Sequence, residues 1–297
     1  MSLVLSRLTG VIVTLLGVSL LCFASAALAP GDYLDEARMQ AGVGAETMTT
    51  WRARHGLDDP WLLRYGRWLQ GAIHGDLGTS VVSGVPVGTL IGRRTGRTLL
   101  VAGAATILAW TLAVPLGLMT VARAHHLDGR AVNLSTTSLL AVPDIVLALA
   151  VAWLAVAIGV LPPAGSATLP VLVLTVALLP SLVRHVRDSV AGVLAQPWVL
   201  ATRARGVSRD RVLTAALHVA APPLCGVFGL SLGTMLGAAL PVEVVFGWPG
   251  LGPLLVDATL SRDLPVVVGA ALIGTFMMAL GQAVGDICVW VADPRVR

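Results

Sequence analysis

"TLPVLVLTVALLPSLVRHVRDSVAGVLAQPWVLATRARGVSRDR" (168–211) holds the two signals on which the architecture turns. Its first part, 168–194, is predominantly apolar and long enough to cross a hydrocarbon core about 30 Å thick, which needs roughly 20 residues of helix. Its last part, 196–211, carries four arginines and one aspartate, and apolar character resumes at about 214. A short, basic, glycine-punctuated segment between two apolar runs is a connection at a membrane surface, and its charge says which surface. Pro197 suits the first position of a helix and Gly206 its left-handed end. Ser208 is placed to cap a following helix, with Asp210 near that helix's positive end. The spacing therefore predicts an eight-residue surface helix over 198–205 closed by a sharp turn.

The rest of the chain has the same solvent. Of its 297 residues 56% are hydrophobic and only 12% charged, where a soluble domain averages roughly 25% charged. Lipid must be the main solvent, so the fold class is an all-α integral membrane protein. Six apolar runs are long enough to span: 8–29, 98–121, 132–159, 168–194, 214–240 and 265–291. The first competes with a signal peptide, since Arg7, an apolar run and "ALA" (27–29) imitate one. Pro30 directly after that site disfavours cleavage, and the run is longer than an h-region of about 7–15 residues. It is retained as a span.

Arginines in short loops set the orientation. With the N-terminus inside, the cytoplasmic side holds Arg7, Arg123, Arg130, Arg184, Arg187, Arg203, Arg205, Arg209, Arg211, Arg295 and Arg297. Short outer loops hold only Arg262. Both termini of this multi-pass protein are thus expected in the cytoplasm. The one sizeable polar region, 31–97, becomes an extracytoplasmic helical insert between helices 1 and 2. Its pieces "MTTWRARHGL" (48–57) and "PWLLRYGRWLQGAI" (60–73) have amphipathic spacing, with Trp51, Trp61, Tyr65 and Trp68 as interfacial anchors. "HGDLGTS" (74–80) and "SGVPVG" (83–88) are turn chemistry. The expected organisation is an N-terminal transmembrane helix (1–30), the insert (31–97) and a five-helix core (98–297) containing the 196–211 segment.

Several chemistries are excluded. All 20 basic residues are Arg, so there is no lysine for a Walker A loop, a Schiff base or a Ser-Lys pair. If ATP drives this protein, another subunit holds the nucleotide. The six histidines are scattered, without H-E-x-x-H or paired-ligand spacing. Cys22, Cys225 and Cys288 lie in apolar runs and read as small core residues. No nucleophile elbow or Ser-His-Asp pattern stands out, so no catalytic residue, metal site or cofactor is assigned to the chain, and nothing in it points to nucleic acid.

Arg184 and Arg187 sit one turn apart at the inner end of the fourth run, with Asp188 four residues from Arg184, at ion-pairing distance. They either snorkel to the interface or meet a partner. Acids inside a membrane are costly and carry a functional hypothesis by default. Asp144 lies inside the third run, Asp286 toward the inner end of the sixth, and Glu243 just past the fifth in "ALPVEVVFGWPGLG". Each either lines a substrate path or accepts from backbone N–H groups freed by a nearby Pro or Gly.

Taken together these stretches resemble the membrane-spanning permease subunit of peptide- and nickel-type ABC importers, the branch with the dipeptide and oligopeptide permease B subunits. "HGLDDPWLLRYGRWLQGAIHGDLGTS" (55–80) resembles that family's external segment. "VEVVFGWPGLGPLLVDATLSRDLPVV" (242–267) resembles its outer loop before the last span, and "DPRVR" (293–297) its C-terminus. The 196–211 segment corresponds to the family's cytoplasmic "EAA" loop. There "LATRARG" (200–206) keeps Ala201 and Gly206, whereas Leu200 replaces the Glu and Thr202 the second Ala. The resemblance implies a transport subunit of the bacterial plasma (inner) membrane that is not itself an enzyme. Leu200, Ala201, Thr202, Arg203, Arg205, Gly206 and Ser208 would couple it to one of two cytoplasmic ATPase subunits, which hold ATP and Mg2+. It further implies a second homologous permease, an extracytoplasmic substrate-binding protein, and di- or oligopeptides as the solute. Nickel chelates, opines or another small cationic solute remain the alternative cargo. A stand-alone channel or ion-coupled carrier is the alternative of a different class, and no inverted repeat or pair of broken mid-membrane helices supports it.

Overall fold

The computed structural model describes residues 2–28, 59–122, 144–159 and 165–293, and within these the secondary structure is helical apart from one isolated bridge between Thr79 and Pro86. The described residues form ten helices, in order α1 (Ser2–Leu28), α2 (Trp61–Ile73), α3 (Val87–Ala122), α4 (Asp144–Ala157), α5 (Thr168–Leu194), α6 (Pro197–Ala204), α7 (Arg209–Val219), α8 (Ala221–Val245), α9 (Leu251–Leu260) and α10 (Leu264–Ala292). A chain in hydrocarbon must satisfy its backbone groups internally, and helices do so. Threonines inside the spans turn their hydroxyls onto carbonyls one turn back, as Thr106 does to Ala102 (2.8 Å) and Thr275 to Ala271 (2.8 Å). They thereby cost little in an apolar setting.

Among the described residues, five helices are long and apolar enough to cross a membrane: Arg7–Leu28, Val87–Ala122, Thr168–Leu194, Ala221–Val245 and Leu264–Ala292. Of the expected third span, 132–159, only α4 and the turn after it are described, and residues 123–143 and 160–164 lie outside the described residues. The second span begins at Val87, eleven residues before its expected start. Hydrophobicity marks where lipid begins, whereas the helix begins where backbone geometry allows, after Pro86, whose carbonyl accepts from Thr89 (3.0 Å).

The expected 214–240 span is corrected more sharply. The chain forms α7, pauses at Ala220, and restarts as α8, which has proline in its first turn and runs on to Val245. Pro222 and Pro223 lack N–H groups and suit a helix start, not a helix interior.

The chain divides into two compact units. One takes residues 1–97 and 249–276. In it α2 packs on α1: Phe23 meets Tyr65 and Trp68 with ring centroids 5.4 Å from each, and the Ser19 hydroxyl lies 3.2 Å from the Tyr65 hydroxyl. The aromatic face expected to anchor in the interface is thus turned in part against protein, and Trp51 lies outside the described residues.

The other unit takes residues 98–248 and 277–297. Here α5 packs on α4, α7 and α8. A buried cluster of Val186, Val190, Val193, Ala216, Ala220 and Leu224 joins α5, α7 and α8, with Trp110 and Trp198 packed on it. Helices α8 and α10 cross backbone to backbone: a Cβ on Gly229 would fall 2.3 Å from the Gly285 Cα, and one on Gly281 would fall 2.7 Å from the Gly233 nitrogen. Side chains that are absent let spans approach this closely.

Candidate functional site

The basic segment folds as its backbone residues dictate. Pro197 occupies the first turn of α6, an eight-residue helix about 12 Å long. After Ala204 the chain passes through Arg205 to Gly206 at φ +80°, whose N–H reaches the Arg203 carbonyl (2.9 Å). A residue with a Cβ resists that left-handed conformation.

Two inward side chains hold α6, and neither was marked by its sequence pattern as important. Val199 is fully buried, and Trp198 packs on the α5–α7–α8 cluster while its Nε1 donates to Gln196 Oε1 (2.8 Å). Thr202 turns its hydroxyl to the Trp198 carbonyl (2.8 Å). The other face is open: Leu200 is 71% exposed, and Ala201, Arg203, Arg205, Gly206 and Ser208 are exposed with it. All seven expected coupling residues therefore lie on one short helix and its turn, Thr202 half-buried among them. The open face thus sets one apolar side chain beside guanidinium groups on a helix anchored from below.

Two details depart from expectation, and a third has no counterpart in the sequence. Ser208 stands at the N-cap of α7 with extended backbone, yet its side chain makes no cap hydrogen bond. Asp188 pairs with its neighbour Arg187 (2.8 Å) in place of Arg184, because the two side chains curl toward each other at the exposed edge of α5. Arg209 donates to the carbonyl of Ala122, the last residue of α3. A cation there meets the negative end of the helix. The link spans 87 residues of sequence, so no local signal announces it. A shallow cleft beside it is lined by Arg203, Val207 and Arg209.

Glu243 and Asp286 are not brought together. Glu243 lies inside the last turns of α8, not beyond its end, and is 0% exposed. Asp286 is exposed on α10. The glycine crossing sets Gly229 against Gly285, next to Asp286. Glu243 is fourteen residues along α8 from Gly229, about 21 Å of helix. Asp144 is the first residue of α4, and its side chain is outside the described set. Among the described residues no group of three or more His, Cys, Asp or Glu is arranged to hold a metal ion.

Residues 84–297 match the family described as binding-protein-dependent transport system inner membrane component. The chain belongs to this family. As an inner membrane component of such a system, it is 32% identical over 301 residues to the oligopeptide transport system permease protein AppB of Bacillus subtilis (strain 168), covering 95% of each chain. It is 31% identical over 338 residues to the dipeptide transport system permease protein DppB of Escherichia coli (strain K12), covering 99% of this chain and 98% of the other. Its fold is similar to a chain of the MetNI methionine ABC transporter, solved in inward facing conformations. The TM-score is 0.56 at 19% identity, over 69% of this chain and 96% of that one. The inner membrane component thus has the fold of an ABC transporter's membrane subunit.

Proposed function

We propose that this chain is one of two homologous membrane-spanning subunits of an ATP-driven importer for di- and oligopeptides. A substrate-binding protein delivers the solute from outside to the 31–97 insert and the 242–263 segment. Two cytoplasmic ATPase subunits bind ATP and Mg2+ and close on each other. Each carries a groove, and α6 docks in one of them, so that closure displaces α5 and α8 as a lever and changes the side to which the path opens. Ligand and ATP must bias the two states differently for this to work. Both termini face the cytoplasm, as the arginine distribution requires. Relatives named for peptides support that cargo over nickel chelates or opines. A path role for Glu243 requires α8 to open near its end, because the side chain is enclosed here. Asp286 is exposed and needs no such opening.

The observation that carries this reading is the face of α6. Val199 and Trp198 fix the helix from below, while Leu200 stands exposed among arginines. A helix laid into an apolar groove is a recurrent mode of recognition. Leu200→Asp leaves the anchor untouched and places a charge where the groove should be. The ATPase subunits that co-purify with the parent complex should be lost at least tenfold, and peptide uptake with them. Undiminished co-purification and uptake would remove α6 as the docking element.

A further inference from the structure

A second constellation, unassigned by the coupling scheme, lies where α10 begins. Asp263 immediately precedes Leu264, the first residue of α10. An aspartate in that place ordinarily accepts from the N–H groups of its own helix's first turn. This one turns away. Its carboxylate accepts from the Ser80 hydroxyl (2.5 Å) and from the backbone N–H groups of Val81 (3.2 Å) and Val82 (3.4 Å), more than 180 residues earlier. Asp263 is 2% exposed and Ser80 4%.

The surroundings are built to match. Ser80 Oγ accepts from the Ser83 N–H (3.0 Å), the Ser80 N–H reaches Val85 (2.9 Å), and the Val87 N–H reaches Gly78 (3.0 Å), so the 78–87 turn is closed on itself. The preceding residue, Arg262, is the one non-glycine at positive φ (53°) among the described residues. Such strain costs on the order of 1–3 kcal/mol and persists only where the surroundings over-determine it. A buried carboxylate is likewise expensive unless hydrogen-bonded. Neither is needed merely to start a helix. Both make sense if what is specified is the position of the turn before α3 relative to the start of α10. Exposed apolar side chains flank the clasp, Val82 (49%) on one segment and Leu260 (71%) on the other.

We propose that Asp263 is a positioning residue that clasps the 78–87 turn to the start of α10, so that the two segments present one surface to the substrate-loaded binding protein. The proposal rests on the importer reading above. Without the carboxylate, the two halves of that surface would hold no fixed register, and each binding protein that docked would have to order them first.

The test uses the full complex in proteoliposomes, titrated with its cognate substrate-binding protein loaded with a tryptic digest of casein. Asp263→Asn keeps the shape but, in either orientation of its amide, sets an NH2 against a backbone N–H, that of Val81 or that of Val82. We expect normal assembly and basal ATPase activity, with the binding-protein concentration for half-maximal stimulation raised tenfold or more. Ser80→Ala, which removes one of three bonds, should raise it about threefold. A role confined to stability would lower yield and melting temperature and leave half-saturation of the assembled fraction unchanged, and that result overturns the clasp. If Asp263→Asn does not assemble, Ser80→Ala decides by the same measure. If the parent complex shows no stimulation at all, the importer reading itself fails, and the clasp's role goes with it.

Discussion

Gly206 sets the conformation of the candidate coupling segment more than any charged residue near it does. Its φ of +80° ends α6, and a β-branched residue there is strained by about 1–3 kcal/mol. No heavy atom lies within 4 Å of a Cβ built on Gly206, so the effect is one of backbone and not of crowding. Gly206→Val should therefore uncouple ATP hydrolysis from transport by tilting α6. Reconstituted complexes of matched assembly should hydrolyse ATP without responding to loaded binding protein, or fail to retain the ATPase subunits. A fully coupled variant would reduce the segment to a basic surface loop. Arg209, by sequence only an exposed charge past the turn, gives up a bond to the end of α3 when changed to Ala. A cation at a helix C-terminus is worth about 0.3–1 kcal/mol. Arg209→Ala should thus show a small, measurable fall in coupled uptake, well short of Gly206→Val, and Arg209→Lys should restore part of it. The turn was legible because Pro197 and Gly206 act through their own backbones. The Arg209 bond was not, because its partner is remote in sequence.

At the scale of elements, the crossing of α8 and α10 gives a clean contrast. Gly229→Ala places a methyl group into the backbone of the facing span, and overpacking of this kind costs about 1–3 kcal/mol. Gly237→Ala lies on the same helix with nothing within 4 Å of the added carbon and should be neutral or slightly stabilising. Melting temperatures of the purified complexes check both, and equal shifts for the two variants would mean that the spans do not meet through their glycines. Five spans were legible from apolar length alone, since length is what a bilayer demands. Their ends were less so. Apolar character runs unbroken from 214 to 240, which hides the stop at Ala220, although Pro222–Pro223 was the visible mark of a restart. Glu243 was misplaced for the related reason that Pro241, late in α8, does not end it.

The whole molecule adds what no element contains, namely a direction. The arginine count predicts that a reporter fused after Pro60 is active outside the cell and one fused at Arg297 inside it. Opposite compartments would put α6 on the wrong side of the membrane for an ATPase and remove the coupling mechanism. Membership in a transport family agrees with the composition, because a chain this apolar is solvated by lipid, and without lysine it cannot form a Walker A loop. The clasp at Asp263 shows the limit of such reading: "GTS" and "SRD" stand far apart in sequence, and only the fold makes them neighbours. The break between α7 and α8 has a mechanical meaning of its own. Positions 222 and 223 contribute no amide hydrogen, so the ladder of hydrogen bonds that stiffens a helix is thinned where α7 hands over to α8. On the proposed coupling scheme, torque entering through α6 and α7 would meet a compliant knuckle before it reached the span, since two of the amide hydrogen bonds that would resist bending there do not exist.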